Sequence, residues 1–113
     1  MAQQKETRFS IKFAKELNKI PGVWYVKIQQ VTKRGTPDYL ICAGGVFMAA
    51  ELKVEGGRST PLQEYNLEAI RLCGGTARIV TPSTAQDFLD EIKEYAEHYF
   101  EAAKLAKALD ISS

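Results

Sequence analysis

The sequence has little of what marks secreted, membrane-embedded or zinc-binding proteins. It contains only two cysteines, Cys42 and Cys73, and their spacing does not match that of zinc or redox pairs, so we expect both to be reduced residues of the core. No apolar run approaches the roughly 20 residues that cross a bilayer. The first residues carry no secretory signal. These absences predict a cytoplasmic protein with no membrane partner.

The charge balance is nearly neutral, so the strong basic excess of many nucleic-acid-binding domains is also missing. The 15 Lys and Arg residues exceed the 14 Asp and Glu residues by one. Any binding to phosphate therefore has to use a few local cations or a bound metal ion. The length of 113 residues fits one domain. Residues 101–113 are rich in Ala, Lys and Leu, which predicts a helical extension or tail to a domain formed by residues 1–100.

Apolar residues recur with alternating or helical spacing, which predicts the element order α-β-β-β-α-β-α. The expected strands span residues 23–31, 38–43, 46–54 and 76–80, and the expected helices span residues 7–20, about 60–73 and about 83–100. Gly44 and Gly45 predict a tight antiparallel hairpin, whose two strands we expect to be buried on both faces. Three adjacent strands followed by a strand-helix-strand crossover predict an α/β fold with one mixed sheet flanked by helices.

Two of the helix starts have the pattern of a capping box, in which the N-cap residue and a Gln three residues later exchange hydrogen bonds. The pairs are Thr60 with Gln63 and Ser83 with Gln86. Helical spacing also predicts the buried face of each helix. These faces comprise Phe9, Phe13, Leu17 and Ile20 in the first helix, Leu62, Tyr65, Asn66, Ala69, Leu72 and Cys73 in the second, and Phe88, Leu89, Ile92, Tyr95, Ala96 and Tyr99 in the third.

Two charged residues stand inside a strand that is otherwise suited to burial. Glu51 and Lys53 are two positions apart, so they project from the same face of the strand. Removing an isolated ion from water costs several kcal/mol, a large part of the stability of a small domain. A simple Glu-Lys ion pair at a sheet edge is one explanation. Asp38 favours another, because the hairpin brings the start of its strand close to the end of the strand that carries Glu51.

Two carboxylates and one ammonium at the end of a sheet suit a site for a hard cation. Oxygen atoms from Asp38, Glu51 and the backbone carbonyl of Leu52 match the ligand preference of Mg²⁺, which keeps several waters and completes its shell with substrate phosphate. Such an ion polarises a phosphodiester and acidifies a bound water, while Lys53 can orient that water and stabilise the developing charge. The pattern therefore predicts hydrolysis of a phosphodiester.

Two further polar residues each have two interpretations. Glu6 lies close to the apolar stripe of the first helix, so it is either a third metal ligand or a carboxylate that favours the positive end of the helix. Gln63 either only closes its capping box or also reaches Lys53 or the phosphate from the helix N-terminus.

Four short motifs along the chain form a joint pattern: Gly35-Thr36-Pro37-Asp38-Tyr39-Leu40, Ala50-Glu51-Leu52-Lys53, Gly56-Gly57-Arg58 and Gln63. This pattern resembles the VRR-NUC family, the virus-type replication-repair branch of the PD-(D/E)XK nucleases, from about Glu6 to the helix after Pro82. The resemblance implies a restriction-endonuclease-like fold, dependence on Mg²⁺ or Mn²⁺, and Asp38 and Glu51 as metal ligands. It also implies that Lys53 is the catalytic lysine, that Gln63 is an active-site partner, and that Glu6 matches the acid on the family's first helix.

Stand-alone members of this family are short, are typical of phage genomes, and resemble homodimeric resolvases of branched DNA. The resemblance therefore implies an endonuclease that cuts branched DNA such as Holliday junctions. Lys33, Arg34 and Arg58 flank the predicted site and are expected to bind backbone phosphates, unless they belong to ordinary solvated loops. Candidate dimer contacts are Ile11, Leu105 and Leu109, for which ordinary surface exposure is the alternative. Two other functions remain open: an inert nucleic-acid-binding or assembly module with the same fold, and a purely structural α/β domain.

Overall fold

The computed structural model describes residues 2–29 and 32–109, and it contains the predicted elements in the predicted order. They are α1 (Ala2–Asn18), β1 (Val23–Lys27), β2 (Tyr39–Ala43), β3 (Val46–Leu52), α2 (Pro61–Leu72), β4 (Thr76–Val80) and α3 (Ala85–Ala108). The strands form one sheet in the order β1-β2-β3-β4, with antiparallel pairing up to β3 and parallel pairing between β3 and β4. The α/β fold with a mixed sheet is therefore confirmed.

Several element boundaries differ from the prediction. The first helix begins five residues earlier than predicted, and the first strand ends at Lys27 rather than at residue 31. Residues 30 and 31, the predicted end of that strand, lie outside the described part of the chain. The stretch after Phe100 continues α3 as far as Ala108, so up to that residue it extends the last helix. None of the described helices is long and apolar enough to cross a membrane.

The β2-β3 connection is the two-residue turn that its glycines predict. Gly44 and Gly45 have φ angles of 58° and 82°, and Ala43 pairs with Val46 directly across the turn. Positive φ at both central positions suits the right-handed twist of the flanking strands. A Cβ at Gly44 would overlap the backbone carbonyl of Tyr95, so α3 approaches the turn closely. The turn thus fixes the register of the strand pair and allows α3 to pack against it.

The main core lies on one face of the sheet, beneath α1 and α3. The predicted face of the first helix is confirmed, because Phe9, Phe13, Leu17 and Ile20 are all buried there. A smaller cluster on the opposite face joins Leu67 of α2 to Ala49 of β3 and Ala77 of β4. The two layers of helices therefore hold the sheet between them, but α2 packs mainly against β3 and β4.

The expectation that the hairpin is buried on both faces is therefore wrong, because α2 leaves part of its own face of the sheet uncovered. Cys42 and Phe47 point to the face that carries α2, yet both are exposed. Trp24 of β1 is also exposed, by 65%. Cys73, just after α2, is exposed as well, so the prediction that both cysteines are core residues is wrong; they are free and exposed.

The predicted faces of the other two helices need correction. On α2 the buried residues are Asn66 and Leu67, whereas Leu62, Tyr65 and Leu72 are exposed. The contact of α2 is narrow because it rests on two small side chains, Ala49 and Ala77. The buried stripe of α2 is therefore narrower than the one that apolar spacing indicates, and of the predicted face only Asn66 is fully buried.

On α3 the predicted buried residues Phe88, Leu89, Ile92 and Ala96 are confirmed, and Tyr95 packs partly against the core. Tyr99 is exposed, because the helix extends beyond the sheet. The predicted capping box of Ser83 and Gln86 is wrong. Thr84 is the N-cap and makes no side-chain capping bond, since its hydroxyl accepts instead from the backbone amide of Thr81 at 2.9 Å.

Candidate active site

The hairpin register brings Asp38 and Glu51 together at the open end of the β2-β3 pair. Tyr39, the first residue of β2, pairs with Ala50 of β3. Asp38 immediately precedes Tyr39 and Glu51 immediately follows Ala50, so these two residues come next along the antiparallel pair. The backbone amide of Leu52 donates to Asp38 Oδ2 at 2.8 Å. This bond fixes the carboxylate of Asp38 against the end of β3, as the sequence predicts.

Glu51 is the most unusual residue of the site, because its carboxyl group is buried without full compensation. The residue is only 3% exposed. Its Oε2 accepts from Gln63 Nε2 at 3.1 Å and lies 3.6 Å from Lys53 Nζ. Within the described part of the chain, its Oε1 is buried and has no hydrogen-bond partner. A buried acceptor left without a donor costs about 1–3 kcal/mol.

The protonation of Glu51 reflects this environment. Burial, followed by the nearby charge of Asp38, raises the pKa of Glu51 from 4.5 to about 7, and the ammonium of Lys53 partly opposes the shift. One ammonium group therefore does not fully stabilise two adjacent carboxylates. The ion pair that a purely structural interpretation requires is present, but it leaves a surplus of negative charge at this end of the sheet.

Gln63 combines the two roles that the sequence left open. Its Oε1 accepts from the backbone amide of Thr60 at 2.8 Å, and the Thr60 hydroxyl accepts from the backbone amide of Gln63 at 3.1 Å, so the capping box is complete. The same side chain donates through Nε2 to Glu51 Oε2. The helix cap therefore holds the amide group in the orientation that contacts the buried carboxylate.

A cavity of about 320 Å³ opens beside these groups. It lies at the end of the sheet, between the N-terminal parts of α1 and α2. Its lining comprises Glu6, Thr7, Ser10, Lys27, Asp38, Glu51, Leu52, Lys53 and Gln63. The structure thus brings all of the predicted catalytic and metal-binding residues to one cavity.

The donor set of this cavity fits a divalent cation that needs few protein ligands. Among residues 2–29 and 32–109, no group of three or more His, Cys, Asp or Glu side chains is close enough to hold a metal ion, so Glu6 lines the cavity without joining Asp38 and Glu51 as a third carboxylate. Two carboxylates and the Leu52 carbonyl remain. The unpartnered Oε1 of Glu51 supplies the free lone pairs that a ligand needs. Mg²⁺ is commonly bound by one or two carboxylates, with waters and phosphate in its other positions.

The predicted DNA-binding cations lie outside this cavity. Lys33, Arg34 and Arg58 are exposed, and none of them lines it. Lys33 instead lines a separate cavity of about 690 Å³ near the C-terminal end of α2. The backbone carbonyl of Arg34 accepts from Asn66 Nδ2 at 3.0 Å, which attaches this loop to α2. The three cations therefore do not line the site, and Lys33 lies beside a cavity at the turn end of the hairpin, where Gly45 and Phe47 also line it.

The cavity residues that the sequence does not single out include Lys27 and Ser10. Lys27 ends β1 and is two positions beyond Tyr25, so strand alternation places it on the face that α1 covers. Ser10 is buried, and its hydroxyl lies 2.7 Å from the hydroxyl of Tyr39. Burial raises the pKa of Tyr39, and the hydrogen bond with Ser10 opposes this shift only in part. The feature of the sequence that could have indicated Lys27 is its position as a cation immediately before the loop that leads to Asp38.

The candidate dimer contacts Ile11, Leu105 and Leu109 are all exposed, which agrees equally with an interface and with ordinary surface positions. Comparison with known proteins adds no independent assignment: no family model, no curated protein and no solved structure matches the chain significantly.

Proposed function

We propose that the protein is a DNA endonuclease that depends on Mg²⁺ or Mn²⁺ and hydrolyses phosphodiester bonds. The observation that supports this proposal is the buried carboxyl group of Glu51. Its Oε1 has no partner among the described residues, and Glu51 lines a cavity together with Asp38 and Lys53. A structural ion pair gains most when both charges are satisfied. An oxygen left free beside a second carboxylate is better explained as a ligand atom.

In this proposal each residue has a distinct task. Asp38, Glu51 Oε1 and the Leu52 carbonyl would hold the cation, and a cation bound there would supply polarisation of the phosphate and a more acidic water molecule. Gln63 keeps Glu51 in place by binding Oε2, so Oε1 stays available. Lys53 stabilises negative charge that develops on the phosphate, and its ion pair with Glu51 ties its ammonium group to the site.

The choice of DNA structure rests on the motif resemblance. By that resemblance the substrate is branched DNA such as a Holliday junction, and the active form is a homodimer with one site for each strand. Lys33, Arg34 and Arg58 would bind backbone phosphates around the site, which requires neither sequence recognition nor a strongly basic chain. The exposed apolar residues Ile11, Leu105 and Leu109 remain candidates for the dimer contact.

The main alternative is an inert nucleic-acid-binding or assembly module with the same fold. A module without catalysis has no need for a buried carboxylate that lacks a partner, and a well-packed apolar residue at position 51 would stabilise it better. The complete set of Asp38, Glu51 and Lys53 therefore favours the enzyme.

A cleavage panel tests the proposal directly. Four-way junction, flap, nicked, duplex and single-stranded DNA are incubated with the protein and Mg²⁺, with and without chelator. We expect cleavage that the chelator abolishes and that is lost in Asp38→Asn, Glu51→Gln and Lys53→Met. Glu94→Gln, an exposed position on α3, is the matched control and should cleave normally.

Metal binding is measured separately from activity. Mg²⁺ or Mn²⁺ should raise the thermal midpoint of the native protein and of Glu94→Gln, but not that of Glu51→Gln, because only a ligand bound to the folded state stabilises it. Unchanged cleavage in Asp38→Asn or in Lys53→Met would show that the substituted residue takes no part in the reaction. A metal-dependent rise in thermal midpoint in Glu51→Gln would remove this residue as a ligand.

A further inference from the structure

The cavity is lined by a second basic side chain, Lys27, besides Lys53. Lys27 is the last residue of β1 and pairs with Tyr39, while the next amide, that of Ile28, donates to the carbonyl of Asp38 at 2.8 Å. The backbone that carries Lys27 is therefore fixed directly to the backbone of a proposed metal ligand. The sheet, and not a loop, therefore holds Lys27 beside the site.

The packing of α1 explains why Lys27 faces the cavity. The hydroxyl of Tyr25 donates to the carbonyl of Ala14 at 3.4 Å, which sets β1 against α1. The step of two residues from Tyr25 to Lys27 covers about 6.6 Å along the strand, close to the length of four residues along a helix. Lys27 therefore lies beside the part of α1 that is about four residues before Ala14. That position is Ser10, which lines the same cavity.

The two lysines of the cavity differ in how they are used. The side chain of Lys53 is 14% exposed and forms an ion pair with Glu51. Lys27 is exposed and, among the described residues, takes part in none of the ion pairs. An ammonium group that borders a cavity with three acidic side chains, yet is paired with none of them, remains free for an anionic ligand.

The distance between the strands indicates which anion. β1 and β3 are separated by β2, so their backbones lie about 10 Å apart. Lys53 and the two metal-binding carboxylates act at the β2-β3 end of the cavity, where the reacting phosphate would be. A cation two strands away is better placed for the next phosphate along the same DNA strand.

We propose that Lys27 forms a subsite for the backbone phosphate that flanks the reacting phosphate, and so positions the DNA strand across the cavity. This inference rests on the proposed nuclease function and assigns to it a residue that the motifs do not contain. The competing explanation is that Lys27 only protects an edge strand, since lysine on an edge discourages pairing with other chains.

Steady-state cleavage tests this subsite with three variants. We expect Lys27→Met to raise KM about tenfold with kcat within about threefold of native, because a flanking phosphate is bound in both the ground and the transition state. Lys27→Arg keeps the charge and should restore most of the affinity. Lys93→Met, at an exposed position on α3, should leave both constants unchanged.

Salt dependence provides a readout that a merely structural role does not change. DNA binding is measured in the Asp38→Asn background, so that no cleavage interferes. Adding Lys27→Met should reduce the slope of log affinity against log salt by about one unit, the effect of one lost phosphate contact. An unchanged slope, an unchanged KM or an effect confined to kcat overturns the subsite, and aggregation of Lys27→Met with normal KM identifies edge protection instead. Cleavage that survives in Asp38→Asn overturns the proposed function, so the two failures are distinguishable.

Discussion

The two ends of the β2-β3 hairpin differ in which side chains are buried and which are exposed. At the open end, charged side chains are held away from water, and Glu51 is only 3% exposed. At the turn end, apolar side chains face solvent, with Trp24 exposed by 65% and Phe47 by 46%. Exposed apolar residues are common on soluble proteins, whereas a buried carboxylate without full compensation is rare and costly. We therefore expect the open end, rather than the turn end, to be the functional one.

The largest expected effect comes from removing charge at the open end. Asp38→Asn or Glu51→Gln should reduce kcat at least about 1000-fold, because both carboxylates act on the same proposed cation. Asp38→Asn should keep most DNA binding in a gel-shift assay, since we expect exposed cations to provide most of the affinity. Phe47→Ser at the turn end should retain native kcat. Equal loss of cleavage and binding in Asp38→Asn would contradict the separation.

The next effect should come from the residue that supports Glu51. Gln63→Leu removes both the donor to Glu51 and the acceptor of the capping box, so we expect metal affinity or activity to fall about 10- to 100-fold. Thr60→Ala is the matched control, because it weakens the cap by about 1 kcal/mol and leaves the contact from Gln63 to Glu51 intact. Metal titration and thermal unfolding of both variants separate the two roles. Equal metal affinities in the two variants would show that Gln63 acts only in the helix cap and does not support Glu51.

The pH dependence of stability should also originate at the open end. With a pKa of about 7 in the folded protein and 4.5 ordinarily, Glu51 keeps a proton in the folded state that the unfolded chain has released. Its stabilising contribution is therefore present at low pH and is lost as pH rises through 7. In metal-free protein we expect the thermal midpoint to fall by several degrees, relative to Glu51→Gln, from about pH 5 to about pH 8. Parallel curves for the two proteins would show that Glu51 is charged throughout.

The smallest effect is expected at the turn end. Trp24→Ser should change the free energy of unfolding by about 0.5 kcal/mol or less, because the side chain is mostly in water already. Leu17→Ala in the core is the contrasting variant and should cost about 2–5 kcal/mol. Chemical denaturation measures both. A cost of several kcal/mol for Trp24→Ser, dependent on protein concentration, would indicate that this surface is covered in a dimer and would break the contrast.

Much of the candidate site could be predicted because it depends on local rules. Asp38 and Glu51 meet because two glycines make a tight turn and because the turn fixes the strand register. The capping box of Thr60 and Gln63 is likewise a matter of spacing within four residues. By contrast, the simultaneous contact of Gln63 with Glu51 depends on where α2 rests on the sheet, which spacing along the chain does not determine.

The sequence by itself determined the order of the elements, the hairpin and the set of charged residues at its open end. Only the tertiary structure decided that α2 packs mainly against β3 and β4 and leaves Cys42, Trp24 and Phe47 exposed, and that Lys27 borders the cavity. The physical reason is that periodicity assigns each side chain to one of two faces, whereas the burial of a face depends on which distant helix packs against it.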